Sequence, residues 1–368
     1  MPLPTNMKLN LKPRGPLWKG PEGEGPLGGI TQSMIQSFLR CRERFRLANI
    51  EGIKPSDRFS HRLSYGEMWH ACEEEMEWNI NRSGFVGDMK IGGHMEDYIK
   101  KLYEQYPYDT DQINHWSNVC RTQFPIYLDY WRKNTEQVAI EPLLREQVFD
   151  VPYKLPSGRV VRLRGKWDGV DLIDGRVWLY ENKTKGDIDA EEIKRQLTFD
   201  LQTMLYIISL SEKQDSDFWN RSNKRWRDKS IGGVRYNCIR RPLSGGKGTI
   251  VRHKATKNHP EESWESYYSR LGQYMKDEPE HYFMRWMVEV TEKDITRFKT
   301  TCLDPLLEEI CDWYNMVTVK RDITPGTWHY RTPFGVFGMD LPTDYNEMLV
   351  HGGMLGMRRV DSLFNELQ

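Results

Sequence analysis

Between Arg159 and Lys183 the chain spells out a β-hairpin. "RVVRLRGKWDGVDLI" and "RVWLYENK" alternate apolar and polar positions and are rich in β-branched residues. Between them stands Asp174-Gly175, a dipeptide suited to a two-residue turn whose central residues both take positive φ. That turn pairs Ile173 with Arg176. Provided no bulge shifts the register, it also sets Asp168 across from Glu181 on one face, with Cβ atoms about 4.5–5.5 Å apart. Lys183, two residues further along, shares that face with Glu181.

Two carboxylates so close repel unless a cation or a proton lies between them. Hard oxygen ligands with positions left for water suit Mg²⁺ or Mn²⁺, and a neighbouring lysine can orient water or stabilise developing charge. On spacing alone, an ordinary cross-strand ion pair on a surface hairpin is the competing reading.

The rest of the chain supplies the context. Of 368 residues, 38% are apolar and 29% charged, which places the chain among globular proteins with a sizeable core. Lys plus Arg and Asp plus Glu balance at 53 each, so only the distribution of charge can speak about partners. No apolar run reaches the roughly 18–20 residues of a membrane span, and the N-terminal residues lack the apolar core of an export signal. Six scattered cysteines form no disulfide framework, which fits a reducing cytoplasm.

Residues 1–29, rich in Pro and Gly, read as a flexible arm. Helical spacing predicts helices over 31–49 and 64–78, and another through "DQINHWSNVCRTQFPIYLDYWRK" that is interrupted or kinked at Pro125. After the hairpin, "DAEEIKRQLTFDLQTMLYIISLS" predicts an amphipathic helix, "GGVRYNCI" and "GTIVRHK" strands, and 261–277 and 291–317 further helices. The order predicts an α/β fold: a mixed central sheet flanked by helices, with helical additions.

Four motifs in this order resemble one family. Gly165-x-x-Asp168, followed by an apolar strand ending Glu181-Asn182-Lys183, is similar to the signature of the PD-(D/E)XK nuclease superfamily. Gln202 and Tyr206, at i and i+4 on one helix face, match the Q-x-x-x-Y of its RecB-like exonuclease branch. "GEMWHACEE" resembles the G-x-x-x-H helix of that branch, with His70 in the histidine position. "SMIQSFLRCRERF" resembles its opening segment, with Ser33, Cys41 and Phe45 in register.

The resemblance implies a restriction-endonuclease-like core over about 30–340, with a helical insertion near 84–135 and a C-terminal extension at 341–368. It implies Mg²⁺ or Mn²⁺ held by His70, Asp168, Glu181 and the backbone carbonyl of Asn182. Lys183 would position the nucleophile, while Gln202 and Tyr206 support the site. The implied activity is hydrolysis of DNA phosphodiesters, by exonuclease action on linear DNA with free ends. A structure-specific endonuclease and a non-catalytic DNA-binding scaffold stay open as alternatives. A viral or bacterial setting is implied by the same resemblance, with recombination, repair, defence and viral replication all open as the work it does.

One departure stands out. Many relatives hold an iron–sulfur cluster with one early cysteine and three late ones. Here Cys41 occupies the early position, but "HYRTPFGVFG", the late segment that best matches, has no cysteine. The reading is therefore of a chain without the cluster, its ends joined by apolar packing through Phe334, Val336 and Phe337.

Local charge supports a nucleic-acid partner. From Asn223 to Asn258 eleven basic residues face one acid, Asp228. Arg225, Arg227, Arg235, Arg240, Arg241 and Lys247 are the expected phosphate contacts, with a solvated strand-and-loop surface as the competing reading. "LSGGKGT" lacks the spacing of a phosphate-binding loop. The glutamates from Glu73 to Glu77 read mostly as a solvent face.

Overall fold

The computed structural model describes residues 15–56, 59–83, 93–134, 139–186, 188, 191, 200–214, 229–242, 249–322, 356–364 and 367. The predicted hairpin forms from β4 (Val160–Ile173) and β5 (Arg176–Lys185). Asp174 and Gly175 take φ values of +48° and +74°, as the turn requires. The register runs from Ile173↔Arg176 to Gly169↔Tyr180 and there ends.

β4 and β5 form the middle of a six-stranded mixed sheet. β3 (Ile140–Lys154) lines one edge of β4 along its length, antiparallel. The other edge is shared. A two-residue strand, β1 (Ile30–Thr31), runs parallel to Leu163 and Arg164, and β5 takes over from Gly169. Residues 165–168 lie in the gap between these two partners. Beyond Tyr180, β5 leaves β4 and continues beside the parallel strand β6 (Ile231–Arg240), which in turn pairs antiparallel with β7 (Phe283–Glu289). The sheet therefore forks at Asp168 and Glu181.

Each face of the fork is covered. On one side lies α6 (Leu201–Gln214), whose Met204, Leu205 and Ile208 pack with Leu163, Trp167, Leu179 and Val234. On the other, α3 (His61–Ser83), α4 (Gly93–Gln105) and α5 (Thr110–Lys133) build a second core, with Tyr65, Met68, Trp69, Phe124 and Tyr127 against Ile239 and Phe283. The strand alternates between them: Val177 and Leu179 join the first core, and Asn182 bonds to α3.

Several expectations change. The helix expected over 31–49 breaks at Cys41, which has extended dihedrals and caps a second short helix (Arg42–Phe45) by accepting the Arg44 N–H at 3.4 Å. The helix through Pro125 is continuous. "GTIVRHK" forms no strand over its described residues, 249–254. Part of the expected flexible arm is built into the core: Trp18 is fully buried, packs edge-on to Phe45 and Tyr314, and donates its indole N–H to Gly29 at 2.7 Å. The anticipated clasp residues Phe334, Val336 and Phe337 lie outside the described residues. Near the C-terminus β8 (Met357–Arg359) instead pairs with β2 (Ile53–Pro55), and Leu363 and Phe364 are buried. Among the described residues no helix is long and apolar enough to cross a membrane.

Candidate active site

The fork separates the predicted residues into two adjoining clusters. The first belongs to β5 and α6. Glu181 is 1% exposed. One of its oxygens, Oε1, accepts from Lys183 Nζ and from Gln202 Nε2, the latter at 2.7 Å. Gln202 Oε1 also accepts from Lys183 at 3.1 Å, so one amide holds acid and base together. The remaining oxygen of Glu181, Oε2, is buried with no hydrogen-bond partner among the described residues. Burial pushes the Glu181 carboxyl up to about 7; Lys183 pulls it down, and the charge of Asp168 adds to the rise. For Lys183 burial works against the charged form, but Glu181 and Asp168 outweigh it and hold the ammonium above its ordinary range.

Tyr206, one turn beyond Gln202, packs beside the same gap in the sheet. Its ring meets Phe149 edge-on at 5.5 Å, and a Cβ at Gly165 would lie 3.2 Å from it. Its carbonyl accepts from the Trp167 indole at 3.3 Å.

The second cluster belongs to β3, β4 and α3. His70 Nδ1 lies 3.0 Å from Glu146 Oε1, and His70 Nε2 lies 4.0 Å from Asp168 Oδ2. Ligand atoms of His70, Glu146 and Asp168 all lie within 4.8 Å of one another, a group able to hold a metal ion. Glu146 Oε2 is bridged by Lys166 at 2.6 Å. Burial lowers the His70 imidazole, but Asp168 and Glu146 override it and raise the group to about 10. Burial raises Glu146, and the hydrogen bonds and charges of His70 and Lys166 together more than offset this, leaving it below its ordinary value.

The predicted pairing of Asp168 with Glu181 falls just past the last ladder pair, Gly169↔Tyr180, and the charge of Asp168 still acts on both Glu181 and Lys183. Core-facing positions on β4 are odd-numbered through Trp167 and include Val170 after it, so the alternation switches phase at Asp168-Gly169. On β3 the same switch falls between Leu144 and Phe149, at Glu146, whose φ is +47° in mid-strand. Left-handed backbone is uncommon outside glycine and clusters at functional sites. The switch leaves Asp168 in the His70 cluster. It stays tied to β5 through Asn182, whose backbone N–H, released where the ladder ends, donates to Asp168 Oδ2 at 2.8 Å.

The Asn182 side chain points the opposite way, into a buried polar network. Its amide donates to Glu73 Oε2 and accepts from Asn237 at 2.7 Å. Glu73 also accepts from Tyr127 at 3.0 Å and from Trp69 at 3.2 Å. Arg285 donates to Asn237 Oδ1 at 3.1 Å and to the Tyr127 hydroxyl at 2.8 Å. Burial raises the Glu73 carboxyl. Glu73, expected on a solvent face, is thus a buried brace under Asn182.

The basic residues need a second correction. Arg235, Arg240 and Arg241 are 5–8% exposed and directed into the protein. Arg235 bonds to buried Asp171 at 3.1 Å, Arg240 to the His281 carbonyl at 3.0 Å, and Arg241 to the Arg62 carbonyl at 3.3 Å. β6 is a central strand covered on both faces, so these guanidinium groups find their hydrogen-bond partners inside the protein. Arg225, Arg227 and Lys247 lie outside the described residues.

The fork fits a divalent ion chemically. It offers an unpartnered buried carboxylate oxygen on Glu181, a second carboxylate on Asp168 and an imidazole on His70, all oxygen or nitrogen donors. No curated protein matches the chain. The family model of the PD-(D/E)XK nuclease superfamily, whose members use divalent metal ions on nucleic acid, matches residues 30–284, most of the chain's length. The chain belongs to the PD-(D/E)XK nuclease superfamily.

Proposed function

We propose that the protein is a Mg²⁺- or Mn²⁺-dependent deoxyribonuclease of the RecB-like branch that degrades linear DNA from its ends. The observation that carries this reading is Glu181. A buried carboxylate with one oxygen fixed by Lys183 and Gln202, and the other without a partner, is an expensive arrangement unless a ligand completes it.

His70, Asp168, Glu181 and the carbonyl of Asn182 would hold the ion. Once bound, the ion supplies Lewis-acid polarisation of the phosphate and a lowered pKa for an attacking water. The chain's own residues do the rest. Lys183, kept charged by Glu181 and Asp168, orients the nucleophile and stabilises charge as the phosphodiester opens. Gln202 fixes the separation of Glu181 and Lys183, so neither must reorganise during the reaction. Tyr206 packs on Phe149 and Gly165 and so holds α6 against the strands that carry the acids.

No iron–sulfur cluster enters this reading. Cys41 is buried and committed to capping a helix, and residues 329–338 lie outside those described.

The test is degradation of end-labelled linear and covalently closed circular DNA with Mg²⁺, Mn²⁺ or chelator. Metal-dependent loss of the linear substrate alone is the expected result. Cutting of the circle would assign an endonuclease, and binding without cutting a non-catalytic scaffold.

A further inference from the structure

We infer that Glu146 is the positioning residue for His70: it fixes the imidazole from behind so that Nε2 faces the ion, and it is not itself a ligand. The inference rests on the metal-dependent reading of the fork and goes beyond it, because Glu146 lies in none of the four motifs named above.

Three observations carry it. First, both oxygens of Glu146 are already engaged, Oε1 with His70 Nδ1 at 3.0 Å and Oε2 with Lys166 Nζ at 2.6 Å. Glu181, by contrast, keeps a buried oxygen without a partner. Second, the two ring nitrogens of His70 are in different situations. Nδ1 is at hydrogen-bond distance from Glu146. Nε2 stands 4.0 Å from Asp168 Oδ2, too far for a hydrogen bond. It is close to the separation of about 3–4 Å expected of two groups ligating one ion at about 2.0–2.2 Å. A carboxylate on the distal nitrogen of a metal-binding histidine sets its tautomer and ring orientation.

Third, Glu146 reaches this place only through a left-handed backbone in the middle of a strand, φ +47°. It stands between the pairs Arg145↔Gly169 and Gln147↔Trp167, hence across from Asp168. A non-glycine residue held there costs backbone energy that the position must offset. Pairing with His70 and Lys166 gives that residue a reason to be a glutamate.

The test is Mn²⁺ binding by titration calorimetry, with thermal unfolding of the metal-free proteins alongside, so it needs no nuclease activity. Glu146→Ala is expected to weaken Mn²⁺ about 10–100-fold, the range for removing the partner of a metal-bound histidine. Glu146→Gln keeps a carbonyl to accept the Nδ1 proton and is expected to lose less than about tenfold. Asp168→Ala should lose binding altogether. Glu146→Gly accepts the left-handed backbone without strain, so it should unfold at a higher temperature than Glu146→Ala yet bind Mn²⁺ as weakly.

A Glu146→Gln protein as deficient as Asp168→Ala would make Glu146 a ligand and overturn the inference. Native affinity in Glu146→Ala, or affinity restored by Glu146→Gly, would reduce its role to backbone shape and overturn it too. Absence of Mn²⁺ binding by the native protein would remove the metal-dependent reading itself, a result distinct from either.

Discussion

The two clusters at the fork differ in how far protein atoms satisfy them. Around Glu181, Lys183 and Gln202 the carboxylate is fully buried and one of its oxygens is left over among the described residues, while Lys183 and Gln202 are partly exposed. Around His70, Glu146 and Asp168 the side chains are half-buried, and each has a charged neighbour. The first cluster holds chemistry under tension, with a carboxyl pushed up to about 7 beside a lysine kept charged. The second is a set of matched charges that an ion would have to enter by displacing a proton from His70. One strand pair makes both, because β5 leaves β4 at the point where the core-facing phase of β4 switches.

Perturbing each side should break the comparison unequally. Glu181→Ala removes the unpartnered oxygen and the counter-charge of Lys183 together, and is expected to lower DNA cleavage about 10³-fold, or about 4 kcal/mol. Single-turnover kinetics at saturating metal would measure this; a loss under tenfold would place the chemistry elsewhere.

Next in size is Glu73→Ala. It leaves donors on Trp69, Tyr127, Asn182 and Asn237 without their buried acceptor and should cost about 3 kcal/mol of stability in urea unfolding. A change below about 1 kcal/mol would show that water replaces the carboxylate. Gln202→Ala removes two hydrogen bonds to charged partners, worth about 1.5–3 kcal/mol each at most. It should lower the cleavage rate about 10–30-fold with DNA binding unchanged.

The last expected effect is of pH on metal binding, and the two clusters enter it separately. A group raised in the folded, metal-free protein must lose its proton when the ion binds. His70, raised to about 10, is protonated throughout the neutral range, so affinity should climb about tenfold per pH unit between 7 and 9. Below about 7 Glu181 is protonated as well, and the dependence should steepen toward about a hundredfold per unit. Calorimetry across pH would check the break near 7, and a single slope throughout would mean that only one of the two clusters exchanges protons with the ion.

The sequence made one cluster far more readable than the other. The hairpin turn and its register follow from alternation and Asp174-Gly175, while the E-x-K on β5 and Gln202 stand out through the resemblance of their motifs to the family. Glu146 was invisible to that reasoning because "LLREQVF" looks like an ordinary strand. Alternation carries no mark of the break, because Leu143 and Leu144, and again Val148 and Phe149, put apolar residues on both faces of the strand. The arginines of β6 misled for a related reason. Charge counted along a sequence does not distinguish a solvated strand from a central one, and pairing with β5 and β7 makes β6 central. The break of the first helix at Cys41 was likewise hidden, since a thiol rarely serves as a cap.

The measurement that tests the account most directly is metal-dependent cleavage of linear DNA by the native protein and by Lys183→Ala, with DNA binding measured in parallel. The account predicts that the native protein cleaves only with Mg²⁺ or Mn²⁺, and that Lys183→Ala binds the DNA but cleaves it at least about 10³-fold more slowly. Equal cleavage by the two proteins, or no cleavage by the native protein with either ion, would contradict it.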